Sequence, residues 1–325
     1  MAIQLLAGLL AILIGAELFT NGVEWLGSRL GLSEGAVGNL LAAVGTALPE
    51  SIIPLVAFLG GDRAAMHIGI GAILGAPFML GTLAMFVTGF SAWLLRGRKK
   101  VLLQAEAGLI RRDLRVFLWM YTLAVAAAFL PQWCKPFVVV FLLAGYGLYA
   151  WNTMHSGQSL SAEGLRPLYL SRGRRPAYFF ILLQLGLGLG AIVGGAEYFI
   201  HGIEYAARLY GLHPLILSMI IAPIATELPE KFNSVIWVAH HKDRLALGNV
   251  TGAMVFQSTL IPAMGILLSD WTLNLAAGLS SIILLLTVGS LYGVIWRRGQ
   301  VAAASLICCG LGYLAFLLAI LWSIL

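Results

Sequence analysis

Apolar residues run in long stretches broken by short polar loops from one end of the chain to the other. A membrane-spanning helix needs about 20 mostly apolar residues. The pattern predicts ten of them, over 2–30, 35–59, 64–92, 111–130, 136–154, 177–210, 214–239, 244–268, 271–296 and 301–324. Transmembrane barrel strands would show alternating segments of about 10 residues, and the sequence has none. The opening apolar run lacks a basic leader and a cleavage-site pattern, so it is read as the first span and not as a removed signal peptide. Composition agrees: of 325 residues 60% are hydrophobic and 10% charged, with mean hydropathy +0.92, whereas soluble domains carry about 25% charged residues. The expected fold class is an all-α membrane protein in contact with the lipid bilayer.

The net charge of +6 does not point to nucleic acid, because of where it lies. Basic residues cluster between the third and fourth spans (Arg96, Arg98, Lys99, Lys100, Arg111, Arg112, Arg115) and between the fifth and sixth (Arg166, Arg172, Arg174, Arg175). Others follow the first span (Arg29), the seventh (Lys242, Arg244) and the ninth (Arg297, Arg298). With ten spans all of these share one side, and only Arg63, Lys135 and Arg208 fall on the other. The positive-inside rule makes the first side cytoplasmic and puts both termini outside the cytoplasm. The three cysteines, Cys134, Cys308 and Cys309, have no metal or disulfide spacing and read as small apolar fillers.

Two short stretches inside the apolar pattern nearly repeat each other: Gly45-Thr46-Ala47-Leu48-Pro49-Glu50 and Ala225-Thr226-Glu227-Leu228-Pro229-Glu230. Their offset, 230 − 50 = 180, also aligns Gly15-Ala16-Glu17 with Gly195-Ala196-Glu197, Gly22 with Gly202 and Glu24 with Glu204. A constant offset over this many positions marks a duplicated half. The halves are expected at 1–154, with a repeat core around 35–90, and at 176–325, with a repeat core around 214–268. A Ser-, Gly-, Arg- and Pro-rich linker, 155–175, joins them. Five spans per half invert one half relative to the other, the plan of many secondary transporters.

Each half carries Thr-x-x-Pro-Glu at membrane depth, where a carboxylate costs at least about 2.5 kcal/mol on insertion scales. Matched carboxylates read best as one shared cation site, Glu50 with Glu230. Thr46 and Thr226 lie one helical turn before them on the same face. Proline removes a backbone hydrogen bond, which makes the carbonyls of Ala42, Ala43 and Pro223 candidate ligands. Hydroxyl, carbonyl and carboxylate oxygens together suit a hard cation such as Ca2+. A proline kink beside a buried, protonated glutamate is the structural alternative.

Polar groups on the first and sixth spans repeat too. Glu17, Asn21 and Glu24 match Glu197, His201 and Glu204 in spacing, and each set shares a helix face. Glu17 and Glu197 are candidates for a gate or permeation path; Glu24 and Glu204 read equally as groups snorkelling to the interface. A second related pair follows each proline segment: Gly71 to Leu80, and Gly248 to Gln257, now at an offset of 257 − 80 = 177. Glu227 and Lys231, four apart, form a candidate ion pair that is either structural or a proton-exchanging couple.

The paired Thr-x-x-Pro-Glu and Gly-x-x-x-Gly stretches resemble the repeats of the cation/calcium exchanger superfamily, in particular prokaryotic sodium/calcium exchanger-like proteins. The resemblance covers nearly the whole chain. It implies ten helices in two inverted five-helix repeats and a secondary active cation antiporter of a prokaryotic inner membrane. It further implies Ca2+ exported against H+ or Na+ by alternating access, inorganic cations as partners and no cofactor. The chain departs from the family pattern where a serine usually follows the motif threonine: it has Ala47 and Glu227. The family's Gly-Ser-Asn stretch reads Gly75-Ala76-Pro77 and Gly252-Ala253-Met254, and its acid or amide ligands become Leu80 and Gln257. These changes deplete side-chain ligands for sodium and raise Glu227 and Gln257 as cation-binding candidates. Two alternatives stay open: a degenerate member that binds a cation without exchange, and a carrier for a different solute. An enzyme is not expected, since no nucleophile–base pair, phosphate loop or metal-ligand histidine cluster is visible.

Overall fold

The computed structural model describes residues 2–30, 42–96, 102–103, 105–155, 166–171 and 176–324. The beginning of the second predicted span, 35–41, and part of the linker lie outside these residues. The chain forms helices α1 (Ala2–Arg29), α2 (Ala42–Leu59), α3 (Arg63–Met79), α4 (Met85–Arg96), α5 (Ala107–Ala126), α6 (Lys135–His155), α7 (Tyr178–Tyr210), α8 (Pro214–Ala239), α9 (Asp243–Leu268), α10 (Leu275–Arg298) and α11 (Ala303–Ile324). Two short strands, β1 (Leu102–Leu103) and β2 (Val301–Ala302), pair antiparallel. A π-helical turn, Leu80–Ala84, joins α3 to α4. There the Met85 N–H reaches back five residues to the Leu80 carbonyl, the bond that defines a π turn.

Among the described residues, seven helical stretches are long and apolar enough to cross a membrane: Ala2–Arg29, Arg63–Leu95, Gln132–Thr153, Tyr178–Tyr210, Asp243–Leu268, Leu275–Arg298 and Ala303–Trp322. Helices α2, α5 and α8 also lie where the sequence predicts spans. Helix α2 is described only from Ala42 and has an apolar run of Pro49–Leu59. Helix α5 carries Arg111, Arg112, Asp113 and Arg115. In helix α8 the apolar stretch Pro214–Ile224 precedes the polar stretch Thr226–Lys231. One boundary moves for a local reason. The span predicted from 271 starts at 275, because the Asn274 side chain accepts from the Ala277 N–H at 2.9 Å and caps α10, as N-cap residues do.

The helices group into two compact units, each drawing on both halves of the sequence. The first unit takes residues 1–69 and 150–214, and the second 70–149 and 215–325. The first is built on α1 against α7, with α2 beside both. A Cβ placed on Gly8 would lie 2.8 Å from the Gly195 carbonyl oxygen, and one on Gly15 would lie 2.7 Å from that of Gly188. The partner numbers fall as the first ones rise, so the helices cross antiparallel with backbones in close approach. The contacts are also reciprocal under the offset of 180. Gly8 meets Gly195 (15 + 180) and Gly15 meets Gly188 (8 + 180), while Gly22 meets Leu185 (5 + 180) and Gly202 (22 + 180) meets Leu5. Burial repeats likewise: Ile12, Gly15 and Ala16 are buried and Glu17 exposed, as are Ile192, Gly195, Ala196 and Glu197.

The second unit packs α4 on α11, α5 on α9 and α10, and α10 on α11. Its polar groups are tied across helices. The Trp271 indole donates to the Ala124 carbonyl at 2.9 Å, Tyr121 and Ser281 hydroxyls meet at 3.2 Å, and Lys135 Nζ donates to the Asp270 carbonyl at 2.5 Å. Asp113, on α5, accepts from Thr251 of α9 at 2.8 Å and from Arg112 at 3.2 Å. Gly71 and Gly75 of α3 lie against the Leu215 and Met219 carbonyls of α8, so the Gly-x-x-x-Gly spacing serves close packing.

Candidate functional site

In the first unit the proline segment lies on α2, which stays helical through Pro49 and Pro54. Glu50 is buried, 9% exposed, and so are Ile52, Ile53 and Phe58 farther along the same helix. The side chains of Ala43 and Thr46 fall outside the described residues.

The α1–α7 pair presents the other predicted groups of this unit. Glu17 is exposed, and linker residues meet it. Its Oε1 accepts from the Tyr169 hydroxyl at 2.7 Å, and Arg166 stands 3.6 Å away. That bond to a carboxylate pushes the Tyr169 phenol above its ordinary range. Asn21, on the same predicted face, is instead buried. Its Oδ1 accepts from Gln184 of α7 at 2.9 Å, and Gln184 also donates to the Leu18 carbonyl and accepts from the Leu170 N–H. Trp25 donates to the Arg166 carbonyl at 2.9 Å, and Leu168 is buried. Residues 166–170 are thus docked on α1 and α7. Glu197 is exposed, and Glu204 stands 3.5 Å from His201. Gln184 and Tyr169 were not singled out from the sequence, and Arg166 was read only as one of the basic linker residues. Gln184 alone offered a signal, as an amide inside an apolar span.

In the second unit α8 and α9 bring two predicted residues together. Glu227 and Gln257 are 1% and 3% exposed, and the Gln257 amide Nε2 donates to Glu227 Oε1. Both stand where the chain departs from the exchanger pattern. The Gln257 Oε1 is buried and has no hydrogen-bond partner among the described residues. Pro223 is buried in α8. Thr226 is buried and donates to the Ala222 carbonyl one turn back, at 3.1 Å. That bond occupies the hydroxyl proton and leaves oxygen lone pairs available. The side chains of Glu230 and Lys231 fall outside the described residues. Buried Ser258 and Thr259 follow Gln257, with their hydroxyls turned back to the Val255 carbonyl at 2.9 and 2.7 Å. Among the described residues no three His, Cys, Asp or Glu side chains gather as a metal centre. The chemistry on view is that of buried carboxylate and amide oxygens on apolar helices, suited to a desolvated cation and not to bond-making catalysis.

The family model for "Sodium/calcium exchanger protein" matches residues 1–154 and 180–322. The sodium/calcium exchanger MaX1 of Methanosarcina acetivorans is 24% identical over 291 residues, covering 79% of this chain and 80% of that protein. A crystal structure of the H+/Ca2+ exchanger CAX superposes with a TM-score of 0.69 at 18% identity, over 98% of this chain and 81% of that one. A structure of the sodium–calcium exchanger NCX_Mj superposes with a TM-score of 0.56 at 20% identity, over 96% and 95% of the two chains. At these identities the structural likeness shows the fold, and the family match reaches further. The chain belongs to the sodium/calcium exchanger protein family, whose members are transporters and not enzymes, and which use no cofactor because the cations they carry are substrates.

Proposed function

We propose that the protein is a secondary active antiporter that exports Ca2+ in exchange for H+ or Na+ by alternating access, with Glu50 and Glu230 as its carboxylate ligands. In this reading ten spans form two inverted five-helix repeats, 1–154 and 176–325, joined by the cytoplasmic linker 155–175. The protein lies in a prokaryotic inner membrane with both termini outside the cytoplasm. The carrying observation is the duplicated Thr-x-x-Pro-Glu segment, whose first glutamate is buried on an apolar helix. A buried carboxylate is expensive unless a cation offsets it, and two at matched repeat positions suit a divalent ion. The reciprocal α1–α7 contacts support the inverted repeat. Thr46, Thr226 and the carbonyls of Ala43 and Pro223 complete the oxygen set. Glu17 and Glu197, exposed at matched places on that helix pair, serve the gate or pathway.

The coupling ion is argued from Glu227 and Gln257. They replace small hydroxyl and acid or amide ligands and hydrogen-bond to each other, which favours a proton over sodium. Lys231, one turn beyond Glu227, belongs to that proton couple, and Lys231→Met then changes the pH dependence of transport. The same bond favours one rival reading, a family member that binds a cation without exchanging it.

Calcium uptake into proteoliposomes tests this under an outward sodium gradient, an outward proton gradient, or neither, for wild type and Glu50→Gln. The expected result is proton-driven uptake lost in Glu50→Gln. Sodium-driven uptake would return coupling to the ordinary family ion. Calcium binding with no flux under any gradient would support the rival, and neither binding nor flux would leave the fold with another cargo.

A further inference from the structure

In the first unit two histidines meet. His67 lies in the second turn of α3, and His213 sits in the connection from α7 to α8. Their ring centres are 4.7 Å apart and the rings are tilted by 57°. The connection is well fixed. Gly211 closes α7 in the left-handed conformation at φ 66°, and the Leu212 N–H returns to the Ala207 carbonyl at 3.0 Å, a glycine-based helix stop. Pro214 then begins α8, so His213 is held between a helix cap and a proline. His67 is half-buried on a regular helix and His213 is exposed, which leaves a route for an ion from solvent.

We propose that His67 and His213 form a binding site for one divalent transition-metal ion of the zinc class, separate from the transported cation. Two imidazoles binding one ion through metal–nitrogen bonds of about 2.0–2.1 Å have ring centres roughly 4.5–5.2 Å apart. The observed separation falls in that range, and the tilt turns the rings away from plain stacking. Imidazole nitrogen suits Zn2+, Ni2+ and Co2+, whereas Ca2+ takes oxygen. Water fills the remaining positions. Asp62, close by in sequence, is engaged in accepting from the Ala65 N–H at 2.8 Å. An ion held by both rings would tie the start of α3 to the connection before α8. The site does not depend on the transport reading.

The test is isothermal titration of the purified, metal-stripped full chain in detergent with Zn2+. The Co2+ form is followed by its visible spectrum, and each titration is repeated in excess Ca2+. His67→Ala and His213→Ala are compared with His240→Ala, whose ring nitrogen lies 2.8 Å from the Ile236 carbonyl in the last turn of the preceding helix. The expected result is one ion per chain, undisplaced by Ca2+. Either pair variant should weaken binding by at least the ten- to hundredfold that losing even an outer-shell partner costs, with no change in His240→Ala. No binding by wild type, equal affinity in either pair variant, or displacement by the excess Ca2+ overturns the proposal. If an alanine variant elutes as aggregate, His67→Gln and His213→Gln take its place under the same criteria.

Discussion

Glu227 and Gln257 come from different helices, 30 residues apart, and meet by a hydrogen bond with almost no exposure. Removing one partner of a buried hydrogen bond strands the other, at about 1–3 kcal/mol and more where a charge is involved. Gln257→Leu is therefore expected to lower the unfolding midpoint in detergent, and Gln257→Asn to recover part of the loss. Glu227→Ala and Gln257→Ala should be strongly non-additive, with a coupling energy of about 0.5–3 kcal/mol in a double-mutant cycle. Additive losses would show that the two side chains act apart. The sequence made each residue visible separately, as a departure from a repeated pattern. It could not show their bond, because helix register fixes which residues share a face of one helix and says nothing about which neighbour that face meets.

At the scale of elements, the sequence showed that α1 and α7 are duplicates but not that they pack on each other. Duplicated glycines at a constant offset already imply matched faces, and the reciprocal contacts Gly8–Gly195 and Gly15–Gly188 are what such faces make when they cross antiparallel. The linker contact was not legible. Residues 166–170 reach α1 through Tyr169–Glu17 and Trp25, and α7 through Gln184, and a polar, Gly- and Pro-rich stretch carries no periodicity to announce where it docks. The π turn at Leu80–Ala84 was missed for the same reason, since an extra backbone residue leaves no mark in residue types. The α1–α7 seam yields a contrast between two neighbouring glycines. A Cβ on Gly188 would sit 2.8 Å from the Phe19 backbone nitrogen and 2.9 Å from the Gly15 carbonyl oxygen, whereas one on Gly190 meets nothing within 4 Å. Gly188→Ala must push two backbones apart, and overpacking of this kind costs about 1–3 kcal/mol. Gly190→Ala relieves the helix penalty of glycine and is neutral or stabilising by about 0.5–1 kcal/mol. Thermal unfolding followed by tryptophan fluorescence separates the two. Equal effects would mean that α1 and α7 do not pack through their glycines.

For the whole molecule, the proposed orientation rests on charge rather than on packing. The basic clusters around 96–115, 166–175, 242–244 and 297–298 share one side in a ten-span topology, and translocating so many Lys and Arg residues in short loops is disfavoured. The reading therefore places Ser171, in the linker, in the cytoplasm, and Asp62, in the loop between α2 and α3, on the other face. Single cysteines at these two positions test it in a background where Cys134, Cys308 and Cys309 are replaced. In intact cells a membrane-impermeant maleimide should label Asp62→Cys and leave Ser171→Cys unmodified. Permeabilised cells must then label both, because residues just before Ser171 dock on α1 and α7, and protection by packing would otherwise imitate protection by the membrane. Labelling of Ser171→Cys alone in intact cells would invert the molecule and carry its basic loops outside. Labelling of both would place the two loops on the same face. That outcome breaks the odd number of spans between them, and with it the antiparallel halves on which the proposed pairing of Glu50 with Glu230 depends.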